Sequence, residues 1–209
     1  MAKFFKSDWF KCITVLLVLA VVLGGTLAFL NDLLYVSPKE RTQRAIKKIY
    51  GVEITLTDED IVLDVDNGGE ELSNEYGSIQ KIYKINNDLL FKSTGNQGYK
   101  NGTISLWLKV VNDNGNYKID KVVLDGYEKQ TLMSKFSQSY YNNFLIDVTQ
   151  SYSNGSGIFL FSPKDHPDKL ENPMSGATKS ANAACNAVNT VIKYLTDNNF
   201  NVGGNANEN

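Results

Sequence analysis

The first hydrophobic feature of the chain is a long apolar run near its N-terminus. From Cys12 to Asn31, 20 consecutive residues carry no charge, and Leu, Val and Ile dominate. A helix of this length covers the roughly 30 Å hydrocarbon core of a bilayer. The run therefore predicts one transmembrane helix over residues 12–34. A secretory signal peptide is the alternative, with a passable cleavage site at Gly25–Ala28, but its apolar region is about 7–15 residues long, which favours the anchor.

A second helix is predicted immediately after the span, over residues 35–50. Ser37 is placed as its N-cap, Pro38 at its first position and Glu40 three residues on, which together form a capping box. Basic residues flank the span on both sides, so the charge count leaves its orientation open.

Beyond Gly51 the pattern changes to strands, at 78–85, 89–92, 103–111 and 117–124. The alternation along 103–111 predicts one core-facing side, formed by Ile104, Leu106, Leu108 and Val110, and one outer side, formed by Thr103, Ser105, Trp107 and Lys109. Turn-forming residues 112–116 join the last two strands into an antiparallel hairpin.

The second half of the domain is predicted to contain two helices and two short strands. Apolar residues at spacings of three and four predict a helix over 130–144, followed by strands at 146–149 and 157–161. A final helix begins near Ala177 and places Asn182, Asn186, Asn189 and Lys193 outward. Residues 199–209 are predicted to be a disordered tail. The fold class is thus α+β: a single span followed by one domain, with an antiparallel sheet and flanking helices.

Composition excludes several classes of function. The net charge is -2, and no long basic stretch favours nucleic acid. The single histidine, His166, leaves no material for a His-based triad or a multi-His metal centre. Cys12 and Cys185 lie in different predicted helices and do not form a disulfide framework. No residue is predicted to be catalytic in its own right, and no metal site is expected.

One short segment carries candidate chemistry. Ser175, Gly176, Ala177 and Thr178 lie where a loop becomes the final helix, and backbone amides and the positive end of the helix dipole favour an anion there. The alternative is that Ser175 or Thr178 only caps the helix.

Ser-Gly-Ala-Thr before an Ala- and Asn-rich helix resembles the flavinylation motif of the FMN-binding domain family. This family includes the G subunit of the Rnf ion-translocating electron-transport complex and the C subunit of the sodium-translocating NADH:quinone reductase. Gly98–Ile104 also resembles the family's Gly-Tyr-x-Gly-x-Ile stretch. The resemblance further includes one N-terminal span, a basic helix after it and an extracytoplasmic domain of this size. It implies a cytoplasmic segment 1–11 and an FMN-binding domain over 51–198.

The resemblance also implies the site. A separate flavin transferase joins FMN through a phosphoester to the residue that corresponds to Thr178, and Tyr99 and Glu128 are candidates to contact the flavin. Tyr99 is equally explained as a buried tyrosine at a strand end, and Glu128 as an exposed charge. The chain departs from the family at Asn172, where members often have Asp. It departs again at Glu128–Thr131, which corresponds to a family Glu-Thr-Pro-Gly stretch.

The function implied is that of an electron-carrying flavoprotein subunit in the cell membrane. Its partners would be the other membrane subunits of a redox-driven Na⁺ or H⁺ pump, the flavin transferase and membrane lipid. Two alternatives remain open: a standalone flavinylated electron carrier at the cell surface, and an anchored binding module without redox chemistry.

Overall fold

The apolar run forms a helix of 27 residues, α1 (Asp8–Leu34), in the computed structural model. By length and composition α1 can cross a membrane, and none of its side chains is buried. The structure describes residues 8–113, 116–141, 146, 177–199 and 201–202. The chain divides after Arg41 into two units, and α1 belongs to the first.

The predicted capping box is present at the start of α2 (Pro38–Tyr50). Ser37 N donates to Glu40 Oε2 at 3.3 Å, and Glu40 N donates to Ser37 Oγ at 3.2 Å. The two bonds satisfy backbone and side-chain groups reciprocally. Spacings of three and four then place one stripe of α2 in the core of the second unit, formed by Thr42, Ala45, Ile46 and Ile49.

The second unit is built on one sheet and a long helix, α3 (Thr178–Asp197). The strands are β1 (Ile61–Asp64), β2 (Leu72–Asn74), β3 (Gly77–Ile85), β4 (Asp88–Gly95), β5 (Ile104–Asp113), β6 (Asn116–Tyr127) and β7 (Asn201–Val202). Among the described residues the strand order is β1-β3-β4-β5-β6-β7, and β2 also pairs with β3. All pairs are antiparallel except β6 with β7. The four strands predicted between residues 78 and 124 are therefore present, as β3 to β6.

The inner face of the sheet packs on α3. Ile104, Leu106, Leu108 and Val110 of β5 are completely buried there, as the alternation predicted. The apolar positions predicted for α3 are also buried: Ala177, Ala181, Ala184, Cys185, Val188, Val191, Ile192 and Leu195.

Part of the opposite face of the sheet is also buried, around Trp107, so the prediction of a single core-facing side is wrong. Trp107, which was assigned to the outer side, is 1% exposed. It stacks with Tyr83 at 6.3 Å between ring centroids, in a second core with Ile46 and Ile49 of α2. The sheet thus lies between α2 and α3, because both helices need a partner for their apolar stripes.

Helix α3 lies unusually close to the sheet at Gly95. A Cβ at Gly95 would collide with the backbone of Ala183 and Ala187. Ser93 Oγ donates to Ala187 O at 2.8 Å across the same contact. Because this contact buries more than one stripe of the helix, the prediction that Asn189 faces outward is wrong; it is 1% exposed.

The predicted helix over 130–144 is interrupted. Met133–Lys135 form a 3-10 turn, Phe136 has extended φ and ψ of −89° and 94°, and helical geometry returns only at residues 138–141. Two of the apolar residues at helical spacing, Phe136 and Tyr140, instead pack with Tyr141 in a cluster of rings, and the centroids of Phe136 and Tyr140 lie 5.0 Å apart. Tertiary packing explains their spacing without a continuous helix.

Other predictions fall partly or wholly outside the described residues. Ile146, predicted to begin a strand, is helical and buried. The remaining residues of that strand, the strand at 157–161 and the tip of the β5–β6 hairpin lie outside the described residues. Within the tail predicted to be disordered, β7 pairs in parallel with the start of β6.

Candidate functional site

Thr178, the candidate attachment residue, is the first residue of α3, and it is exposed. Ala177 occupies the N-cap position with φ −118° and ψ 26°. Its carbonyl accepts a 3.0 Å hydrogen bond from Ala181 N. Thr178 is therefore inside the helix and does not cap it. Ser175 and Gly176, the other members of the motif, lie outside the described residues.

The start of α3 offers backbone donors to an anion. Ala177 gives no side-chain hydrogen bond to the first turn. The first amides of a helix have no intrahelical acceptor, and the helix dipole adds partial positive charge at the same end. An anionic oxygen close to Thr178 would meet both effects.

A buried glutamine that the sequence did not single out connects this helix end to the other candidate residues. Gln130 is 7% exposed. Its Oε1 accepts from Ser180 Oγ at 2.6 Å and from Tyr99 N at 3.1 Å. Its Nε2 donates to Glu128 O at 2.8 Å and to Tyr99 O at 3.5 Å. One carboxamide therefore joins three segments: the turn at residues 98–102, called the Tyr99 turn below, the end of β6 and the first turn of α3.

The Tyr99 turn is shaped around this carboxamide. Gly98 N donates to Gly102 O at 2.9 Å and closes the turn. A Cβ at Gly98 would lie 2.6 Å from Gln130 Nε2, and a Cβ at Gly102 would lie 2.5 Å from the same atom. Within the turn, Lys100 has left-handed backbone angles of φ 52° and ψ 36°. A Cβ at Gly98 would also collide with Gly102 O, and one at Gly102 with Glu128 O, so the two glycines are needed first for the close approach of backbone segments, and Gln130 Nε2 fills the space that remains.

The Tyr99 side chain is 38% exposed, so it is not a buried tyrosine at a strand end. Lys100 Nζ lies 5.5 Å from the centroid of its ring. Glu128 follows β6 directly and is exposed, while its backbone pairs with Thr103 through bonds of 2.9 and 3.2 Å. Its position is compatible with a ligand contact and equally with a simple surface charge.

Each of the three joined segments carries an exposed lysine beside the candidate residue. These are Lys100 after Tyr99, Lys129 after Glu128 and Lys179 after Thr178. Within the part of the chain that the structure describes, none of the three forms an ion pair, and Glu128 is the only carboxylate adjacent to them in sequence. Their net charge is positive and favours an anionic ligand.

A separate cavity of about 310 Å³ lies toward the other end of α3. Tyr194, Tyr117, Leu89 and Ile82 contribute to its wall. Tyr194 is 16 residues beyond Thr178 in the helix, or roughly 24 Å along its axis. This cavity is therefore separate from the three segments that Gln130 joins near Thr178.

The structure brings together the segments of Tyr99, Glu128 and Thr178, which are far apart in sequence. Sequence reasoning missed Gln130 and Ser180, the side chains that join them. Their hydrogen bond spans 50 positions, and no local pattern indicates it. The spacing of Gly98 and Gly102 was the available signal, because paired glycines mark a close approach of another group.

No protein-family model matches the chain, and no curated protein or solved structure is significantly similar to it.

Proposed function

We propose that the protein is a membrane-anchored flavoprotein subunit that carries FMN as a phosphoester on Thr178. It transfers electrons within an ion-translocating oxidoreductase complex. The observation that carries the proposal is the exposed Thr178 hydroxyl at the first position of α3, tied through Ser180 and Gln130 to the segments of Tyr99 and Glu128. The resemblance of the Ser-Gly-Ala-Thr segment to a flavinylation motif supplies the identity of the ligand.

The residues of this surface fit a flavin phosphate. A phosphodiester keeps one negative charge, which the amides at the start of α3 and the exposed Lys179 would stabilise. The half-exposed ring of Tyr99 offers a planar surface for an aromatic ligand. When bound, FMN supplies reversible one- and two-electron transfer, while the protein supplies position and electrostatics.

The attachment step is a phosphoryl transfer that would replace a phosphoanhydride bond with a phosphodiester bond. Thr178 Oγ1 forms a bond to the flavin-side phosphorus of a flavin dinucleotide, and the bond from that phosphorus to the bridging oxygen breaks. A nucleoside monophosphate leaves, and the hydroxyl proton passes to a base of the transferase or to water. No electrons are exchanged. An exposed threonine is required because a second enzyme must reach this hydroxyl.

Helix α1 supports membrane anchoring by its length and composition. The resemblance implies that the second unit lies on the extracytoplasmic side. It is also the basis for proposing partner subunits and coupling to Na⁺ or H⁺ movement. A covalent link suits this location, because it removes the dissociation equilibrium through which a diffusible cofactor would be lost.

Intact-mass measurement of the full chain, co-expressed with a flavin transferase, tests the proposal. We expect a mass increment of one FMN phosphoester, mapped to the peptide that contains Thr178, and its loss in Thr178→Val. Thr131→Val is the matched control, because Thr131 is an exposed threonine that directly follows Gln130 in sequence and lies outside α3. An unmodified wild-type chain, or an increment that persists in Thr178→Val, would contradict the proposal.

A further inference from the structure

We propose that Gln130 is the positioning residue of the Thr178 site: its carboxamide fixes the first turn of α3 in the orientation in which Thr178 accepts the flavin. This inference rests on the proposed function. It goes beyond it by assigning a role to a residue that does not contact the reacting hydroxyl.

The Gln130 carboxamide makes four hydrogen bonds, each to a different atom of the surrounding segments. Oε1 receives Ser180 Oγ and Tyr99 N, and Nε2 faces the carbonyls of Glu128 and Tyr99. Only a side chain that both accepts and donates can serve both sets. An apolar side chain of similar size serves neither set, and an ionised carboxylate serves only the donors.

The link to α3 depends on one side chain. Gln130 reaches the Tyr99 turn and the end of β6 through their backbones, but it reaches α3 through the hydroxyl of Ser180. Ser180 is 4% exposed and lies two residues after Thr178. Ala177 and Ala181 stay buried without this bond, so its loss would leave the first turn of α3 packed but able to shift, because Ala177 provides no side-chain cap.

The chain around Gln130 is built to place it there. Lys129 has φ 58°, a left-handed conformation, and it lies between the exposed Glu128 and the buried Gln130. Gly98 and Gly102 leave the space that Nε2 fills. The left-handed Lys129 thus turns the chain between an exposed and a buried side chain, and the buried carboxamide fits beside two glycines whose backbone contacts leave no room for a Cβ.

Attachment by a second enzyme is sensitive to this geometry. A misplacement of about 1 Å in a reacting group costs on the order of 100-fold in rate when alignment is strict. A small shift of the first helical turn moves Thr178 but leaves its hydroxyl exposed. Gln130 should therefore affect how fast Thr178 is modified more than it affects whether the domain folds.

The experiment measures the initial rate of FMN attachment to full-length chain in detergent, with limiting flavin transferase and intact-mass readout. Gln130→Leu and Ser180→Ala are each expected to lower the rate about tenfold. Asn186→Ala is the matched control. Asn186 lies two turns further along α3 and donates to Asn96 O at 3.0 Å, so its loss removes a comparable link between helix and loop away from Thr178.

Gln130→Glu adds a readout that a purely structural role would not change. A protonated carboxyl group accepts from Ser180 and donates to the Glu128 carbonyl, whereas the ionised form only accepts. Burial raises the pKa of this carboxyl group, whereas the Ser180 and Tyr99 N–H donors and the neighbouring Lys129 lower it, and the share of the protonated form grows as the pH falls. We expect the ratio of the Gln130→Glu rate to the wild-type rate to rise as the pH falls from about 8 to about 6.

The outcomes separate the two proposals. A wild-type chain that gains no FMN overturns the proposed function, and this inference with it. A wild-type chain that gains FMN, with Gln130→Leu and Ser180→Ala as fast as Asn186→Ala, overturns the inference and leaves the proposed function standing. Slow attachment confined to the two Gln130–Ser180 variants, with the pH-dependent rescue, supports both.

Discussion

Tyr83 donates a 2.6 Å hydrogen bond to Asp64 Oδ2. The other oxygen of this carboxylate lies 2.9 Å from Lys81 Nζ, which also lies 2.7 Å from Asp66 and 3.4 Å from Thr42 Oγ1. Lys81 and Asp64 are almost fully buried. This cluster ties the start of α2 in the second unit to β1 and β3.

Replacement of Lys81 by Met should destabilise the protein by roughly 3–5 kcal/mol, because it leaves a buried carboxylate without its cation. The measurement is the midpoint of urea unfolding of the full chain in detergent. Lys47→Met is the control, since Lys47 and its partner Glu53 are exposed at 2.6 Å and should leave the midpoint unchanged. Equal midpoints for the two variants would show that the cluster contributes nothing to stability.

The same cluster predicts a dependence on acid pH. Burial alone would raise the pKa of Asp64, but hydrogen bonds from Tyr83 and Lys81 outweigh it and hold that pKa below its ordinary value. Asp64 therefore stabilises the fold above the unfolded pKa of about 3.9, and this contribution is lost as the pH falls through the lowered folded value. The stability gap between wild type and Asp64→Asn should be constant near neutrality and shrink in acid. A gap that widens in acid would refute the assignment.

At alkaline pH the prediction concerns Tyr83. Burial, together with its hydrogen bond to Asp64, raises the pKa of Tyr83 to about 12. Its contribution to stability is therefore present below about pH 10 and lost as the pH rises through the folded value. Unfolding of wild type and Tyr83→Phe, measured at increasing pH, should converge. Curves that stay parallel through this range would show that Tyr83 is not coupled to folding.

Gly95→Ala should destabilise the domain by roughly 1–3 kcal/mol, because the added methyl group collides with the backbone of α3 and neither element can move freely. Gly126→Ala is the matched control in the same sheet, since a Cβ there meets nothing within 4 Å. The measurement is again the urea midpoint. A Gly95→Ala variant as stable as Gly126→Ala would show that the helix shifts at little cost.

Trp107→Ala should cost roughly 3–5 kcal/mol, because a large side chain leaves the core between the sheet and α2. Trp107→Phe should cost less, since it keeps a packed ring and loses the 2.8 Å bond from Nε1 to Asp125. Val62→Ala, at a residue 55% exposed, is the control. If Trp107→Ala unfolds at the same urea concentration as wild type, the second core is not stabilising.

Much of the fold could be predicted because its signals are local. Residues within a few positions of one another form each of these signals: the capping box at Ser37, the alternation along β3 to β6 and the apolar stripe of α3. The face of Trp107 could not be predicted, since alternation does not reveal that a second helix covers the other side of a strand. The failed helix over 130–144 has a related cause: aromatic residues at spacings of three and four satisfy ring packing as well as a helix.

The candidate site divides in the same way. Thr178 and its place at a helix start follow from a short motif and the periodicity after it. Gln130 itself has no local sequence signature, because its role depends on Ser180 and Tyr99, which become its neighbours only after the sheet and α3 have packed. The spacing of apolar residues at three and four predicts an outward position for Asn189, whereas the close approach at Gly95 buries more of α3 than one stripe.

The close fit of α3 against the sheet also has a consequence for the order of biosynthesis. The apolar strands at 79–122 leave the ribosome well before residues 178–197, which cover them. Until those residues arrive, the inner apolar face of the nascent sheet is exposed to solvent and can associate with other chains. A premature stop codon before Thr178 would therefore remove α3, which covers the inner face of the sheet, together with the attachment residue. Such truncated chains should be degraded and should not accumulate as folded protein without cofactor.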